Sequence, residues 1–262
     1  MDAQATEAPL FDRILCGVDG TPASLVAVRQ ALRLQSEHGS VYLLAVANLA
    51  TAVHAGMAAT HAAELLQHEA EAALAEAQAI APSANSKLTD GDPVAVLLKQ
   101  AEAERATLIS VGSHGRRRAA GLLLGTVAAR MLRDATCSVL IARGARDAEA
   151  WPRTVVAGVD GSPESAAAFT LARSLVDRFG GNARAMASGT DQLDREAARA
   201  ISPELEEQDA PAVEVLVAAS ESADLIVVGS RGLHGLKALG SVSERVAHQA
   251  RSSVLVVRPE RT

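Results

Sequence analysis

Aromatic side chains are almost missing from this chain: one Trp, one Tyr and three Phe in 262 residues, against 48% hydrophobic residues overall. Its cores must therefore be built from Ala, Val, Leu and Ile, which favours helices packed closely on sheets. Cysteine occurs twice. Cys16 lies inside an apolar run and Cys137 just before another, so both read as small buried hydrophobes, and a structural disulfide is not expected. No run of about 18 apolar residues occurs, and the opening Met1 to Pro9 lacks the basic end and apolar stretch of a secretory signal. The expectation is a soluble, cytoplasmic protein. Positive charge is not in excess either: 25 Lys and Arg face 31 Asp and Glu, a net charge of −6. With no stripe of interleaved basic and aromatic residues, nucleic acid and anionic membrane are not expected partners. A Walker-type phosphate loop, a Gly-x-Gly-x-x-Gly fingerprint and a Gly-x-Ser-x-Gly elbow are all missing, so dedicated NTPase, dehydrogenase and hydrolase readings lose their main support.

What the chain has instead is a repeat. Ile14-Leu-Cys-Gly-Val-Asp19-Gly-Thr-Pro22 returns as Val155-Val-Ala-Gly-Val-Asp160-Gly-Ser-Pro163, 141 residues downstream. Leu108 to Gly115 is matched by Leu225 to Gly232, and each half closes on a short apolar strand, Ser138 to Arg143 and Ser253 to Arg258. One unit of a little over 100 residues thus reads as duplicated in tandem. The expected division is a first domain at 10–143, a short polar linker at 144–152 ending in a proline, and a second domain at 153–259. Trp151, the single tryptophan, is expected to cover the seam between them rather than to bind a ligand.

In the first half, β-rich runs at Arg13–Val18, Val41–Ala47, Leu108–Val111 and Ser138–Ala142 alternate with helical stretches. Thr21-Pro22 caps a helix expected to reach Glu37 and stop at Gly39; others are expected at His61–Ile80, from Asp92-Pro93 to about Glu104, and from Gly125-Thr126 to about Arg133. Such alternation gives an α/β fold with a doubly wound parallel sheet, whose ligands sit at the carboxyl ends of the strands. The second half is trimmed: 93 residues separate Asp19 from Gly112, but only 69 separate Asp160 from Gly229. Asp191–Ala200 reads as a shortened helix. No convincing β run precedes Val213, so a middle strand is expected to be lost.

The chemistry-bearing pattern is Gly112-Ser-His-Gly115, nine residues, then Gly125-Thr126-Val127 at a helix start. Glycines let backbone amides approach an anion, and a helix amino terminus offers unpaired N–H groups with a favourable dipole. Asp19 ends the first strand on the same rim, placed for a ribose hydroxyl or for a metal held on phosphates. The residues alone leave two readings, a phosphate cradle or glycine turns that simply make room.

The spacing Gly112-x2-Gly115-x9-Gly125-Thr126, the early Gly17-Val-Asp19-Gly-Thr-Pro22 and the closing Cys137-Ser-Val-Leu-Ile together resemble the universal stress protein family, over both halves. The resemblance implies two tandem Rossmann-like domains of the adenine nucleotide alpha hydrolase type. It also implies an ATP-binding regulatory protein of the stress response that hydrolyses its nucleotide slowly or not at all, with Mg2+ arriving on the phosphates. Carried over by position, the ATP site comprises Asp19, Val46, Val111, Gly112, Gly115, Gly125, Thr126 and Val127. Family edge strands meet across a two-fold dimer. A tandem chain can satisfy that contact internally as a pseudo-dimer, with a homodimer of whole chains and an unidentified protein partner left open.

The second half departs from the pattern. Its loop runs Gly229-Ser-Arg-Gly232, then seven residues, then Gly240-Ser241, two short of the family spacing, and Ser188 stands at the counterpart of Val46. Asp160, Gly229, Gly232, Gly240 and Ser241 therefore mark at most a second, partly vestigial site. Arg116, Arg117 and Arg118, with Arg231 and Lys237 as counterparts, read equally as phosphate screens or as solvated loop. His54, His61 and His68 recur every seven residues, about 10.5 Å apart along a helix, too far to share one metal ion. His114 has no nucleophile or paired carboxylate beside it by spacing, and no catalytic residue is assigned. Two rival readings stand beside the regulatory one: an interaction module of the same family that has lost its nucleotide, and a slow ATPase.

Overall fold

The computed structural model describes residues 10–50, 59–114, 124–145, 147–230 and 241–258. The first half runs β1 (Phe11–Val18), α1 (Pro22–Leu34), β2 (Gln35–Ala47), α2 (Ala59–Ile80), β3 (Asn85–Asp90), α3 (Pro93–Ala103), β4 (Leu108–Gly112), α4 (Thr126–Asp134) and β5 (Ser138–Ala142). The second runs β6 (Thr154–Gly158), α5 (Pro163–Phe179), β7 (Asn182–Ser188), α6 (Arg195–Ile201), β8 (Glu206–Gln208), α7 (Ala212–Ala219), β9 (Leu225–Gly229), α8 (Val242–Gln249) and β10 (Ser253–Val257). The strands form one ten-stranded sheet in the order β3-β2-β1-β4-β5-β10-β9-β6-β7-β8. Every pairing inside a half is parallel, and β5 meets β10 antiparallel, with Leu140 opposite Leu255. Each half thus has the same strand order, mirrored about the central pair. The closing apolar strands satisfy one another within the chain, which removes the open edge that either half would present alone.

Alternation along β1 sorts the core into two layers. Ile14, Cys16 and Val18 face a layer containing Val28, Leu34, Leu140 and Leu255, whereas Leu15 faces one containing Ile109, Met131, Ile141 and Val254. Both layers cross the central pair, so the halves share their core. Free thiols occupy Cys16 and Cys137; burial pushes them up to about 12 and about 11.

Two arginines cross the seam in opposite directions. Arg143, after β5, donates to the carbonyl of Ala247 in the last turn of α8 at 2.6 Å, and Arg258, after β10, donates to the carbonyl of Leu132 in the last turn of α4 and to that of Cys137 at 3.0 Å. A guanidinium at a helix carboxyl end complements the dipole. Desolvation opposes the charge, pushing Arg143 down to about 10 and Arg258 in the same direction. Trp151 is buried, its indole N–H donating to the carbonyl of Asp224 at 3.0 Å. The Asp224 carboxylate in turn accepts from the amides of Arg153 and Thr154, which fixes the start of β6.

Three expectations are corrected. The helix α1 stops at Leu34, and Gly39 lies inside β2, where an added Cβ would meet the Phe11 carbonyl oxygen at 2.9 Å. That glycine makes room beside the β1 register shift between Phe11 and Arg13 rather than ending a helix. A middle strand is present in the second half: β8 is three residues long and pairs with β7 through Ala187 and Glu207. Its partner in the first half, β3, is likewise polar. Both are edge strands, and Arg184 clamps β8 through a two-pronged pair with Glu206 at 2.7 and 2.5 Å.

Candidate functional site

A cavity of about 660 Å³ opens at the carboxyl ends of β1, β2 and β4. Seven of the eight residues expected there line it: Asp19, Val46, Val111, Gly112, Gly125, Thr126 and Val127. Gly115 and Arg116 to Arg118 lie outside the described residues, as do His54, Gly232, Arg231, Lys237 and Gly240.

Local chemistry explains how each wall is set. Gly20 has φ 73, and the tight turn lets one Asp19 carboxylate oxygen accept from the Thr21 amide at 3.1 Å and the Thr21 hydroxyl at 2.6 Å. The same hydroxyl accepts from the Ser24 amide and caps α1. Asp160, Ser162 and Ser165 build the identical device in the second half. Asp19 therefore orders the β1–α1 turn as well as facing the cavity, a structural duty that the sequence did not disclose. Gly112 has a double role too. A Cβ there would stand 2.7 Å from the Ala23 carbonyl carbon and 2.8 Å from the Ser24 nitrogen, and one at Gly229 would stand 2.6 Å from the Glu164 backbone. Both glycines let a helix start lie against a strand end.

The floor of the cavity is the amino terminus of α4. Gly125 is its cap residue with φ −67 and ψ 159, makes no side-chain cap hydrogen bond, and leaves no acidic residue in the first turn. Its amide is used by the Ser113 carbonyl at 2.8 Å, whereas the N–H groups of Thr126, Val127 and Ala128 have no side-chain cap acceptor among the described residues. Those three donors and the positive end of the dipole suit an anion. The described walls otherwise carry the carboxylates of Asp19, Glu69 and Asp92 and no Lys or Arg. His114 also lines the cavity, its Nδ1 3.0 Å from the Ser113 hydroxyl.

Sequence reasoning missed Asn48, Leu66, Glu69 and Pro93 on these walls. Asn48 directly follows β2, a position that strand-end logic reaches. Leu66 and Glu69 come from α2, and nothing in their spacing announces the cavity. His61 and His68 stand on exposed α2 surface beside Glu64 and Glu71, at 3.9 and 3.4 Å, and share no ligand. Among the described residues no group of three or more His, Cys, Asp or Glu is arranged to hold a metal, and no helix is long and apolar enough to cross a membrane.

A second cavity of about 520 Å³ occupies the corresponding place in the second half, lined by Asp160, Gly229 and Ser241, and additionally by Leu132 and Arg133 from the end of α4. Its helix terminus is built differently. The Ser241 hydroxyl accepts from the Glu244 amide at 3.3 Å, and Glu244 puts a carboxylate in the first turn of α8. The Ser188 hydroxyl, at the counterpart of Val46, is consumed by its own loop: it donates to the Ala210 carbonyl at 2.7 Å and accepts from the Asp191 amide at 3.0 Å.

The family model described as Universal stress protein family matches residues 10–143 and 182–258. A universal stress protein of Mycobacterium tuberculosis strain H37Rv is 32% identical over 206 residues, covering 67% of this chain and 69% of its own length. A second from the same strain is 30% identical over 212 residues, covering 69% and 70%. Among solved structures, a universal stress protein from Archaeoglobus fulgidus DSM 4304 superposes with a TM-score of 0.73 at 23% identity, over 94% of this chain and 96% of that one, which shows the shared fold. The chain belongs to the universal stress protein family.

Proposed function

We propose that this chain is an ATP-binding regulatory protein of the stress response, with the nucleotide held in the first-half cavity and retained rather than consumed. The working units are the two lobes expected from the sequence, 10–143 and 153–259, joined by 144–152 as an intramolecular pseudo-dimer. The observation that carries the reading is the amino terminus of α4, without a side-chain cap or an acid in its first turn, opening into a cavity also lined by Val46 and Val111. Phosphates would take the α4 N–H groups, the Asp19 carboxylate would accept from ribose, and the base would seat between Val46 and Leu97. Mg2+ would arrive on the phosphates, where it would supply charge neutralisation, with Asp19 the wall carboxylate expected beside it.

The same walls support a reading of retention without turnover. Asp19 spends one oxygen on Thr21, Asp92 caps α3 through the Ala95 amide, and the Nδ1 of His114 stands beside the Ser113 hydroxyl. Turnover should stay far below an ordinary enzymatic rate of about 10 per second. Calorimetric titration with Mg-ATP tests the assignment: binding is expected in the unaltered chain and loss in Gly125→Val, which fills the floor. Normal binding by that variant would place the nucleotide elsewhere. No binding by the folded, nucleotide-free chain would leave an interaction module in which the glycines serve only packing.

A further inference from the structure

We infer that Arg258, supplied by the second half, is a positioning residue for the nucleotide site of the first. The inference rests on the reading of the first cavity as that site, and it concerns what holds the cavity floor in place. α4 is nine residues long, begins without a side-chain cap, and has Ala128, Met131 and Leu132 as its buried side chains. A helix of that length is marginal by itself, so its ends must be held by the surrounding structure. At the amino end the Ser113 carbonyl takes the Gly125 amide at 2.8 Å. At the carboxyl end the Arg258 guanidinium donates to the carbonyl of Leu132, in the last turn, and to that of Cys137 at 3.0 Å.

Arg258 is only 8% exposed, pairs with no carboxylate among the described residues, and its Nε finds no partner. Burying a guanidinium without a counter-charge is costly, and desolvation accordingly pushes its pKa down. The two carbonyls and the negative end of the α4 dipole are what offset that cost. The backbone is seated to match: the Ser138 hydroxyl, at the start of β5, accepts from the Arg258 amide at 3.0 Å. Each of these partners belongs to the first half. The two ends of α4 lie about 13 Å apart, so Arg258 acts on the cavity through the helix and touches no ligand. A shift of α4 along its axis would move the Thr126, Val127 and Ala128 N–H groups against Asp19 and Val111 on the other walls.

Arg143 supplies the matched control. The Ser253 hydroxyl accepts from its amide at 2.9 Å, and its guanidinium donates to the Ala247 carbonyl in the last turn of α8 at 2.6 Å. The device is the same, but α8 contributes no described wall to the first cavity. Arg143→Met therefore removes an equivalent contact across the seam and leaves the α4 anchor in place.

The experiment compares full-length Arg258→Met and Arg143→Met with the unaltered chain, by calorimetric titration with Mg-ATP and by amide hydrogen exchange of the ligand-free protein. Arg258→Met is expected to weaken Mg-ATP about fivefold. It should also speed exchange of the α4 amides from Ala129 to Asp134 about tenfold, while β1 keeps its protection. Arg143→Met should bind Mg-ATP like the unaltered chain and speed exchange in α8 instead. Equal weakening by both variants would reduce Arg258 to a general support of the seam, and unchanged affinity or unchanged α4 exchange in Arg258→Met would overturn the assignment outright. Should Arg258→Met fail to fold, Arg258→Lys takes its place: it keeps the charge but not the two-pronged geometry, a loss of about twofold is expected, and no loss overturns the inference. If the unaltered chain binds no Mg-ATP, the nucleotide reading fails by itself, and exchange alone decides whether Arg258 anchors α4.

Discussion

The helices α4 and α8 stand at equivalent places in the two halves, each opening under a cavity, and they end on opposite chemistry. α4 begins at a bare glycine with no acid in its first turn; α8 begins at a serine that caps it and carries Glu244 inside that turn. Everything that shapes the strands around them is shared: the Asp-Gly turn, the Pro-initiated first helix and the glycine that admits it. The comparison teaches that the scaffold and the anion site are separable. A half can keep its fold, its Asp and its strand-end glycine while the start of the helix beneath the cavity changes from a bare glycine to a serine cap with an acid in the first turn.

The largest effect expected is on the scaffold, and it should be equal in the two halves. Gly112→Val and Gly229→Val each drive a side chain into the backbone of a helix start, and each should cost about 2 kcal/mol or more in urea denaturation. A large loss for one and none for the other would break the claimed equivalence. Next comes the anion site. Thr126→Glu adds at the exposed start of α4 the charge that α8 already has; acids are welcome there for helix stability, so folding should hold while ATP affinity falls about tenfold. The reverse change, Glu244→Gln, should raise phosphate affinity in the second half only about two- to fivefold, because Ser241 still occupies its amide. Ser241→Ala should cost about 1 kcal/mol of stability through the lost cap, measured by the same denaturation.

The smallest effect is a pH dependence confined to the first half. Cys16 is fully buried, and burial raises its thiol from 9.0 to about 12; its counterpart is Ala157. Because the folded value lies above the unfolded one, this contribution is intact below pH 9 and is lost as the pH rises toward 12. Cys16→Ala should therefore reduce the fall in Tm between pH 8 and pH 9.5. An unchanged fall would assign the alkaline sensitivity to other groups.

Apolar periodicity made seven of the eight central strands and most helices legible in the sequence, because burial on both faces leaves continuous runs such as Leu225-Ile-Val-Val, which Asn182–Ser188 lacks. The edge strands were not legible for the same reason reversed. Asn85–Asp90 and Glu206–Gln208 face solvent, so polarity and ion pairs replace the hydrophobic pattern that announces a strand. Gly39 was misread because a glycine after a helical run signals a stop equally well whether the chain turns there or needs room inside a strand. Of the eight site residues that the family resemblance implies, seven line the first-half cavity. What spacing cannot convey is which residue caps a helix. Gly125-Thr126 and Gly240-Ser241 read alike as dipeptides, yet Thr126 is already helical and Ser241 is the cap, so one hydroxyl leaves the terminus open and the other fills it. Nor did the sequence show that Asp19 and Gly112 also serve the fold, since their partners are backbone atoms of α1.

The asymmetry of the two termini is tested most directly by the stoichiometry of Mg-ATP on the nucleotide-free chain, titrated by calorimetry in parallel with Thr126→Glu. One ATP per chain, weakened about tenfold by that substitution, is the expected result. Two equivalent ATP per chain, or one that is indifferent to Thr126→Glu, would contradict it.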